Sequence, residues 1–233
     1  MQTLVVHTLY RASSTVFFGA HLPDDTFFAC AAFDAEMFYL SADVPLLNRR
    51  GARVRDRFAA TVADFLREHW MESEGGGFLD GGASDTTSAA IRSMKSAGLT
   101  EDEVSRILVL ILWGVHSNML LVALWTMIYL VADPSAYTRV CDAIRAAYPG
   151  VSPSTFTLID NFTDGYKTLV PFGGGLFMCK GREFALRIIE TFFIMFMQMY
   201  DVADCGYAVP AKRNGSVSMV KPKTIPSIKV RRR

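Results

Sequence analysis

Apolar positions recur with a helical period along most of the chain, and turn residues separate the periodic segments. Helices or buried segments are predicted at 3–19 and 26–42, because HLPDD between them combines a proline with two aspartates that break and cap helices. An amphipathic helix is predicted at 44–70, where one face is apolar at helical spacing. The residues of that face are Val54, Phe58, Val62, Phe65 and Leu66. The pattern therefore predicts a mainly α fold with little sheet.

The middle of the chain combines a glycine-rich interruption with a long apolar segment. The stretch ESEGGGFLDGGASD is rich in glycine and acidic residues, so we predict a flexible linker at 71–98. Thr100 and Glu103 have the spacing of a capping box, which predicts that a long helix begins at Glu101. Asp133-Pro134 ends that helix, since proline cannot continue it.

Two further helices are predicted after this point. SAYTRVCDAIRAAY is amphipathic and stops at Pro149-Gly150. The segment 151–170 shows little regular pattern, and we predict a loop there. From Arg182 onward, REFALRIIETFFIMFMQMYDV is long and apolar enough to form a buried helix, whose Phe and Met side chains are expected to pack in the core.

The segment from Ile107 to Ala132 contains no acid, lysine or arginine and is long enough to span a bilayer. Polar side chains in its middle, among them His116, Ser117 and Asn118, would cost free energy in lipid. A long helix through the centre of a helical protein explains the same pattern, with His116 as a buried histidine that is satisfied by hydrogen bonds. A membrane helix and a buried central helix both remain open on this pattern.

The composition excludes two classes of protein. Hydrophobic residues make up 51% and charged residues 20% of the 233 residues, which is typical of a folded globular chain and not of disorder. The formal net charge of +1 gives no reason to expect a nucleic acid partner, and the basic end KVRRR is interpreted as a solvated tail. The N-terminal MQTLVVHTLYRASS lacks the features of a secretory signal, so we expect an intracellular protein, cytoplasmic or associated with the endoplasmic reticulum.

Cysteine usage directs attention to one position. Cys30, Cys141, Cys179 and Cys205 show no CxxC or Cys/His ligand spacing, so the sequence predicts neither a disulfide framework nor a zinc site. Cys30, Cys141 and Cys205 are interpreted as inert buried thiols. Cys179 differs because it lies in PFGGGLFMCKGREFA at 171–185, where glycines permit a tight turn directly before a helix. The unpaired N–H groups and dipole of a helix N-terminus favour a thiolate. Cys179 is therefore predicted to present a thiolate to a metal or an electrophile.

The same stretch resembles the haem-binding loop of cytochromes P450. In that loop a Phe is followed at fixed intervals by a Gly, a Cys, a second Gly and an Ala, and a basic residue commonly follows the second Gly. The matching residues here are Phe172, Gly175, Cys179, Gly181, Arg182 and Ala185. The resemblance implies that these residues bind haem b and that Cys179 is the thiolate ligand of its iron.

The long apolar helix resembles the central distal helix of the same family, which crosses the haem face where oxygen binds. Gly114 keeps the small residue of the family's pattern, while Asn118 and Met119 stand where most members carry an acid and a threonine. With Trp113 and Trp125, this segment is similar to the branch that contains cholesterol 7α-hydroxylase and prostacyclin synthase. The resemblance implies that Asn118 lies over the iron and that Gly114 belongs to the same catalytic face.

Other features depart from the family's pattern. The interval between Asn118 and Cys179 is too short to hold the family's Glu-x-x-Arg helix and its arginine-bearing meander. The sole Glu-x-x-Arg of the chain, Glu103 to Arg106, precedes the distal helix and is interpreted as a surface pair. The resemblance therefore implies a partial P450-type helical fold, a single domain over 1–233 that corresponds to the C-terminal part of the family without the N-terminal anchor.

For function, the resemblance implies haem-dependent monooxygenation of an apolar small molecule of the lipid, terpenoid or polyketide type, with electrons from an NADPH-dependent reductase. Peripheral membrane association is compatible with this role. The missing acid and threonine also allow an isomerase or dehydratase, and the missing Glu-x-x-Arg helix allows a truncated or degenerate homologue without turnover. Outside the family, the alternative is a helical membrane protein with bilayer segments at Ile107–Ala132 and Leu186–Tyr200.

Overall fold

The computed structural model describes residues 3–19, 22–41, 48–69, 85–149, 172, 178–203, 206–210, 212–213, 221–222 and 227–232. The helices in this part of the chain are α1 (Thr8–Phe18), α2 (Thr26–Ser41), α3 (Asn48–His69), α4 (Asp85–Ser96), α5 (Glu101–Ala132), α6 (Pro134–Ala147) and α7 (Arg182–Met199), and a π-helical turn, Thr3–His7, precedes α1. The strands are β1 (Tyr200–Val202), β2 (Lys212–Arg213), β3 (Lys221–Pro222) and β4 (Val230–Arg232). β1 pairs with β4 and β2 with β3, both antiparallel. The prediction of a mainly α fold with little sheet is confirmed.

The chain divides into two compact units. The N-terminal unit comprises Gln2–Val122 and Ala211–Lys223, and the C-terminal unit comprises Met1, Ala123–Pro210 and Thr224–Arg233. The boundary between them falls inside α5. The single domain expected over 1–233 therefore stays a prediction.

In the N-terminal unit, aromatic and aliphatic side chains from several helices bury one another. α2 packs on α3, where the ring centroids of Phe33 and Phe58 lie 6.0 Å apart. Phe33 also contacts Trp113 of α5 edge to face at 6.2 Å, and the Trp113 indole N–H donates to the Asp34 carboxylate at 3.0 Å. The largest fully buried side chains of this unit are Phe18, Phe33, Phe58, Phe65, Leu66, Ile91, Leu108 and Leu112. Since burying each contributes roughly 1.5–3 kcal/mol, this core fixes the part of α5 that ends at Val122 in the unit.

In the C-terminal unit, hydrogen bonds fix the end of α7. The Gln198 amide donates to the Tyr148 carbonyl at 2.8 Å, and the Val202 N–H donates to the Tyr137 hydroxyl at 3.1 Å. These bonds tie α7 and β1 to α6. Within the Phe and Met series of α7, Phe193, Phe196 and Met197 are buried, which confirms the core prediction for these three. The other members of the series, Phe192, Met195 and Met199, are half-buried.

Both ends of α5 follow the predicted signals. The Thr100 N–H donates to the Glu103 carboxylate at 2.8 Å, and the Glu103 N–H donates back to the Thr100 hydroxyl at 3.4 Å, which confirms the capping box. The bond from the Thr100 backbone lowers the pKa of Glu103 below its ordinary value. After α5, the Asp133 carboxylate accepts from the Ala136 N–H at 3.0 Å and caps α6, with Pro134 at its first position.

Arg106 of α5 does not pair with Glu103, so that prediction is wrong. The Arg106 guanidinium contacts Asp102 at 2.9 Å and Asp56 of α3 at 3.3 Å. The Glu103 carboxylate instead reaches back to the Thr100 cap, because a residue three positions after the cap points toward the free N–H groups of the helix start.

Part of the predicted flexible linker is helical. α4 lies inside 71–98 and buries Ile91 completely. A glycine ends the helix: Gly98 has a φ of 82°, and its N–H donates to the Lys95 carbonyl at 3.0 Å. The linker prediction is wrong for α4, since most glycines of the segment precede it. The rest of the predicted linker at 71–84, and the predicted loop at 151–170, lie outside the described residues.

Replacing either of two helical glycines with alanine is expected to change the stability of the N-terminal unit in a different way. A Cβ at Gly114 of α5 would meet no atom within 4 Å, so Gly114→Ala is expected to raise the free energy of unfolding by about 0.5–1 kcal/mol through helix propensity alone. A Cβ at Gly51 of α3 would lie 2.7 Å from the Leu40 Cγ, so Gly51→Ala is expected to give no gain or a loss of about 1 kcal/mol. Urea denaturation measures both variants, and equal gains would show that Leu40 moves aside without cost.

Candidate functional site

The cysteine loop is described at its two ends. Phe172 and 178–185 lie within the described residues, whereas Gly175 lies outside them. The Cys179 N–H donates to the Phe172 carbonyl at 2.8 Å, so the loop closes on itself just before α7 begins. The Cys179 side chain is exposed and is not part of a disulfide. Its thiol is therefore open to a ligand from the solvent side.

Glycine at 181 leaves one flank of the thiol uncovered. A Cβ at Gly181 would lie 3.8 Å from the Cys179 Sγ. A larger side chain at position 181 would therefore cover part of the sulfur. The Gly181 carbonyl accepts from the Ala185 N–H at 2.9 Å, and this bond begins the hydrogen-bond ladder of α7. The predicted glycine and alanine thus support the turn that presents Cys179.

The start of α7 carries positive charge beside the cysteine. The Arg182 N–H donates to the Cys179 carbonyl at 3.3 Å, and Lys180 is exposed between them. The Arg182 guanidinium lies 3.6 Å from the Glu183 carboxylate, a contact that is largely solvated. Because a helix N-terminus also has a partial positive charge, this end of α7 attracts an anionic group.

The other two predicted site residues lie on α5. Gly114 and Asn118 are one turn apart and both are exposed, and Asn118 has no hydrogen-bond partner among the residues that the structure describes. The flanking side chains on this face are also exposed and are apolar: Leu110 at 56%, Ile111 at 38% and Val122 at 37%. We call Leu110, Ile111, Gly114, Asn118 and Val122 the open face of α5. The open face is thus an exposed, apolar strip with one carboxamide.

The structure thus assembles two sets of predicted residues. Phe172, Cys179, Gly181, Arg182 and Ala185 form one set in the C-terminal unit. Gly114 and Asn118 form the other set in the N-terminal unit. The expectation that Asn118 lies over a haem iron stays a prediction.

His116 belongs to the core of the N-terminal unit and not to the open face. It is fully buried, with Nε2 at 2.9 Å from the Ser13 hydroxyl and 3.3 Å from the Ser14 hydroxyl. Nδ1 lies 2.6 Å from the Leu112 carbonyl, which only accepts, so we assign the proton to Nδ1 and an accepting role to Nε2. Burial lowers the pKa of His116 to about 4, so the imidazole is neutral. The predicted satisfied core histidine is confirmed.

Ser13 and Ser14 are partners that the sequence did not predict. The Tyr10 ring stacks obliquely on His116 with centroids 4.4 Å apart, and its hydroxyl donates to Thr26 at 3.0 Å. Burial raises the pKa of Tyr10. This polar network joins α1 to α5, and the adjacent cavity of about 20 Å³ has room for about one water molecule. Two consecutive serines within LYRASSTVFF are the sequence signal from which the network could have been predicted.

Ser117 lies at the border of the open face. Its Oγ is buried and has no hydrogen-bond partner within the described part of the chain. A helical serine can bond to the carbonyl one turn back, and here it does not. An unpaired buried hydroxyl costs roughly 1–3 kcal/mol of folding free energy.

α5 is the one helix among the described residues that is long and apolar enough to cross a membrane, and 50% of its most apolar window is buried inside the protein. α7, the second bilayer segment of the membrane alternative, does not meet the same criteria. A half-buried helix of this composition is also typical of the core of a soluble helical protein, so length and composition do not separate the two.

The sequence matches no protein-family model, and no curated protein is significantly similar to it. The resemblance to cytochromes P450 therefore depends on the residues of the cysteine loop and of α5. Family, cofactor and activity are consequently matters of proposal.

Proposed function

We propose that this chain is a haem-thiolate protein of the P450 type, which oxygenates an apolar small molecule. The observation that carries the proposal is the exposed Cys179 thiol on a loop closed by Phe172, directly before α7. The order Phe172, Gly175, Cys179, Gly181, Ala185 is the haem-loop pattern of that family. A single protein thiolate and an open approach are what a haem iron requires from its proximal side.

The residues around the thiol fit the proposed group. Cys179 would hold the iron, and the side-chain-free position at Gly181 leaves space beside the sulfur. Lys180 and Arg182 add cations at the start of α7, which suit the carboxylates of a haem. When bound, the haem would supply the iron at which dioxygen is activated, with electrons from an NADPH-dependent reductase.

The open face of α5 supports an apolar substrate. Leu110, Ile111 and Val122 offer aliphatic contact, and Gly114 adds no side chain that would hold a ligand away from the helix. The Asn118 carboxamide can donate to and accept from a polar group, and it competes with no bond inside the described part of the chain. A lipid, terpenoid or polyketide with one or two oxygen atoms has the matching chemistry.

One observation favours a second candidate, an isomerase or dehydratase with the same cofactor. From Gly114 to Val122, α5 contains neither the acid nor the threonine that most members of the family carry in this helix, which permits a reaction that needs no oxygen activation. Such a reaction would require neither dioxygen nor a reductase. Product formation from a candidate substrate under anaerobic conditions separates it from monooxygenation.

The experiment that tests the proposal is a carbon monoxide difference spectrum of the reduced protein after incubation with haem. A red-shifted Soret band of the thiolate-ligated type is expected. If haem binds but the spectrum lacks this band, the iron ligand is a group other than the Cys179 thiolate. No haem binding would reject the cofactor, together with both reactions.

A further inference from the structure

We propose that the paired ends of α2 and α3 form a docking surface for anionic phospholipid membranes. The surface consists of two exposed aromatic side chains at the end of α2, Phe38 and Tyr39, and a row of exposed arginines on α3, Arg49, Arg53 and Arg57. We call it the aromatic–arginine surface. It lies entirely in the N-terminal unit and does not depend on the haem proposal.

α2 exposes an apolar outer face. Its buried side contains Cys30, Phe33 and Glu36, while Phe28, Phe38 and Tyr39 on the opposite side are 68%, 51% and 41% exposed. The alanines between them, Ala31, Ala32 and Ala35, are exposed as well. An outward helix face with three aromatic rings and no charge is unusual for a surface that meets only water.

The packing of α2 on α3 brings the aromatic rings and the arginines to the same end of the pair. The Arg50 guanidinium contacts the Glu36 carboxylate at 2.8 Å. A Cβ at Gly51 would lie 2.7 Å from the Leu40 Cγ, so the Leu40 side chain packs directly on the α3 backbone at this end. The last turn of α2, with Phe38 and Tyr39, therefore lies beside the first turns of α3.

The arginine row is not neutralised by the described residues. Arg49, Arg53 and Arg57 follow one another at intervals of four positions, so their side chains emerge about 6 Å apart along one face of α3. None of the three pairs with a carboxylate in the described part of the chain, whereas Arg55 pairs with Asp56 at 2.9 Å. Like charges at this spacing repel one another, which an anionic surface would relieve.

The combination of features favours a lipid surface over other partners. Aromatic side chains insert favourably at the level of the lipid headgroups, and guanidinium groups bind the phosphate oxygens of those headgroups. A nucleic acid would use the arginine row but leave the apolar face of α2 in water. A second copy would cover the apolar face but place arginine rows of two chains close together.

The test is the binding of the full chain to vesicles of phosphatidylcholine alone and of phosphatidylcholine mixed with phosphatidylserine, measured by flotation. The variant Arg49→Gln/Arg53→Gln/Arg57→Gln is compared with a control that removes equal charge from α1, α4 and α6, Arg11→Gln/Arg92→Gln/Arg139→Gln. Because each arginine near an anionic surface contributes about fivefold, the first variant is expected to bind mixed vesicles about a hundredfold more weakly. The control is expected to bind nearly as the unmodified protein does.

The binding of the unmodified protein to the two vesicle types already tests the proposal. Stronger binding to mixed than to neutral vesicles, weakened by high salt, is expected from the screening of the arginine row. Equal binding to both vesicle types, or equal losses in the two triple variants, would overturn the proposal. If the protein binds no vesicles but forms a dimer that Phe38→Ser/Tyr39→Ser dissociates, the surface is a contact between two copies. If it binds no vesicles but binds RNA, and the arginine variant abolishes that binding, the partner is a nucleic acid.

Discussion

Replacing Cys179 with alanine is expected to abolish the red-shifted Soret band of the reduced protein under carbon monoxide. The thiolate is the ligand that produces this band, and an alanine at this position supplies no iron ligand. The Cys179 side chain is exposed, so the free energy of unfolding is expected to change by no more than about 0.5 kcal/mol. The spectrum and a urea denaturation curve of the same preparation measure both effects.

Cys141→Ala is the matched control for this loss. Cys141 lies in α6 and is only 2% exposed, so its removal leaves the Cys179 loop unchanged but creates a small cavity. We expect this variant to keep the Soret band and to lose about 1 kcal/mol or more of stability. A band that survives in Cys179→Ala, or that disappears in Cys141→Ala, would contradict the assignment of the thiolate.

The second large effect is a loss of stability in acid, caused by His116. The pKa of His116 is about 4 in the folded protein and about 6.5 when unfolded. Between these values the unfolded chain binds a proton that the folded chain does not, so stability falls as the pH decreases from about 6.5 to about 4. The contribution of His116 reaches about 3 kcal/mol at the lower end of this range. Urea denaturation across this pH range measures the loss.

His116→Met isolates this contribution from the titration of carboxylates. Methionine fills a similar volume without a titrating group, and Ser13 keeps its hydrogen bond to the Leu9 carbonyl at 2.6 Å. The variant is expected to be less stable near neutral pH, because Ser14 loses a partner, yet its stability should decrease less in acid. If the two proteins lose stability in parallel, His116 is not the group that titrates.

The sequence predicted the parts of the fold whose signals are local. The capping box of Thr100 and Glu103 and the Asp133-Pro134 pair set both ends of α5, since each acts within one turn of the helix. The sequence did not predict α4, because the prediction joined the glycine-rich stretch before Asp85 and the following residues into one linker. Only tertiary packing, the complete burial of Ile91, shows that a helix is stable there.

The site shows the same division between local and distant signals. The turn that presents Cys179 is local, and a motif of 15 residues was enough to predict its position before α7. The partners of His116 are not local, because Ser13 precedes it by 103 positions and no periodicity joins the two. Whether Asn118 faces a cofactor depends on such distant packing as well, which is why the sequence could propose the residue but not its surroundings.

Ser117 is a position at which the chain does not carry the most stabilising residue. Its hydroxyl is buried without a partner in the described part of the chain, at the border of the open face of α5. Had natural selection acted on stability alone, alanine would be the better residue here, because it is the strongest helix former and buries no polar atom. The fold can therefore be more stable than this sequence makes it, and Ser117→Ala is expected to raise the free energy of unfolding.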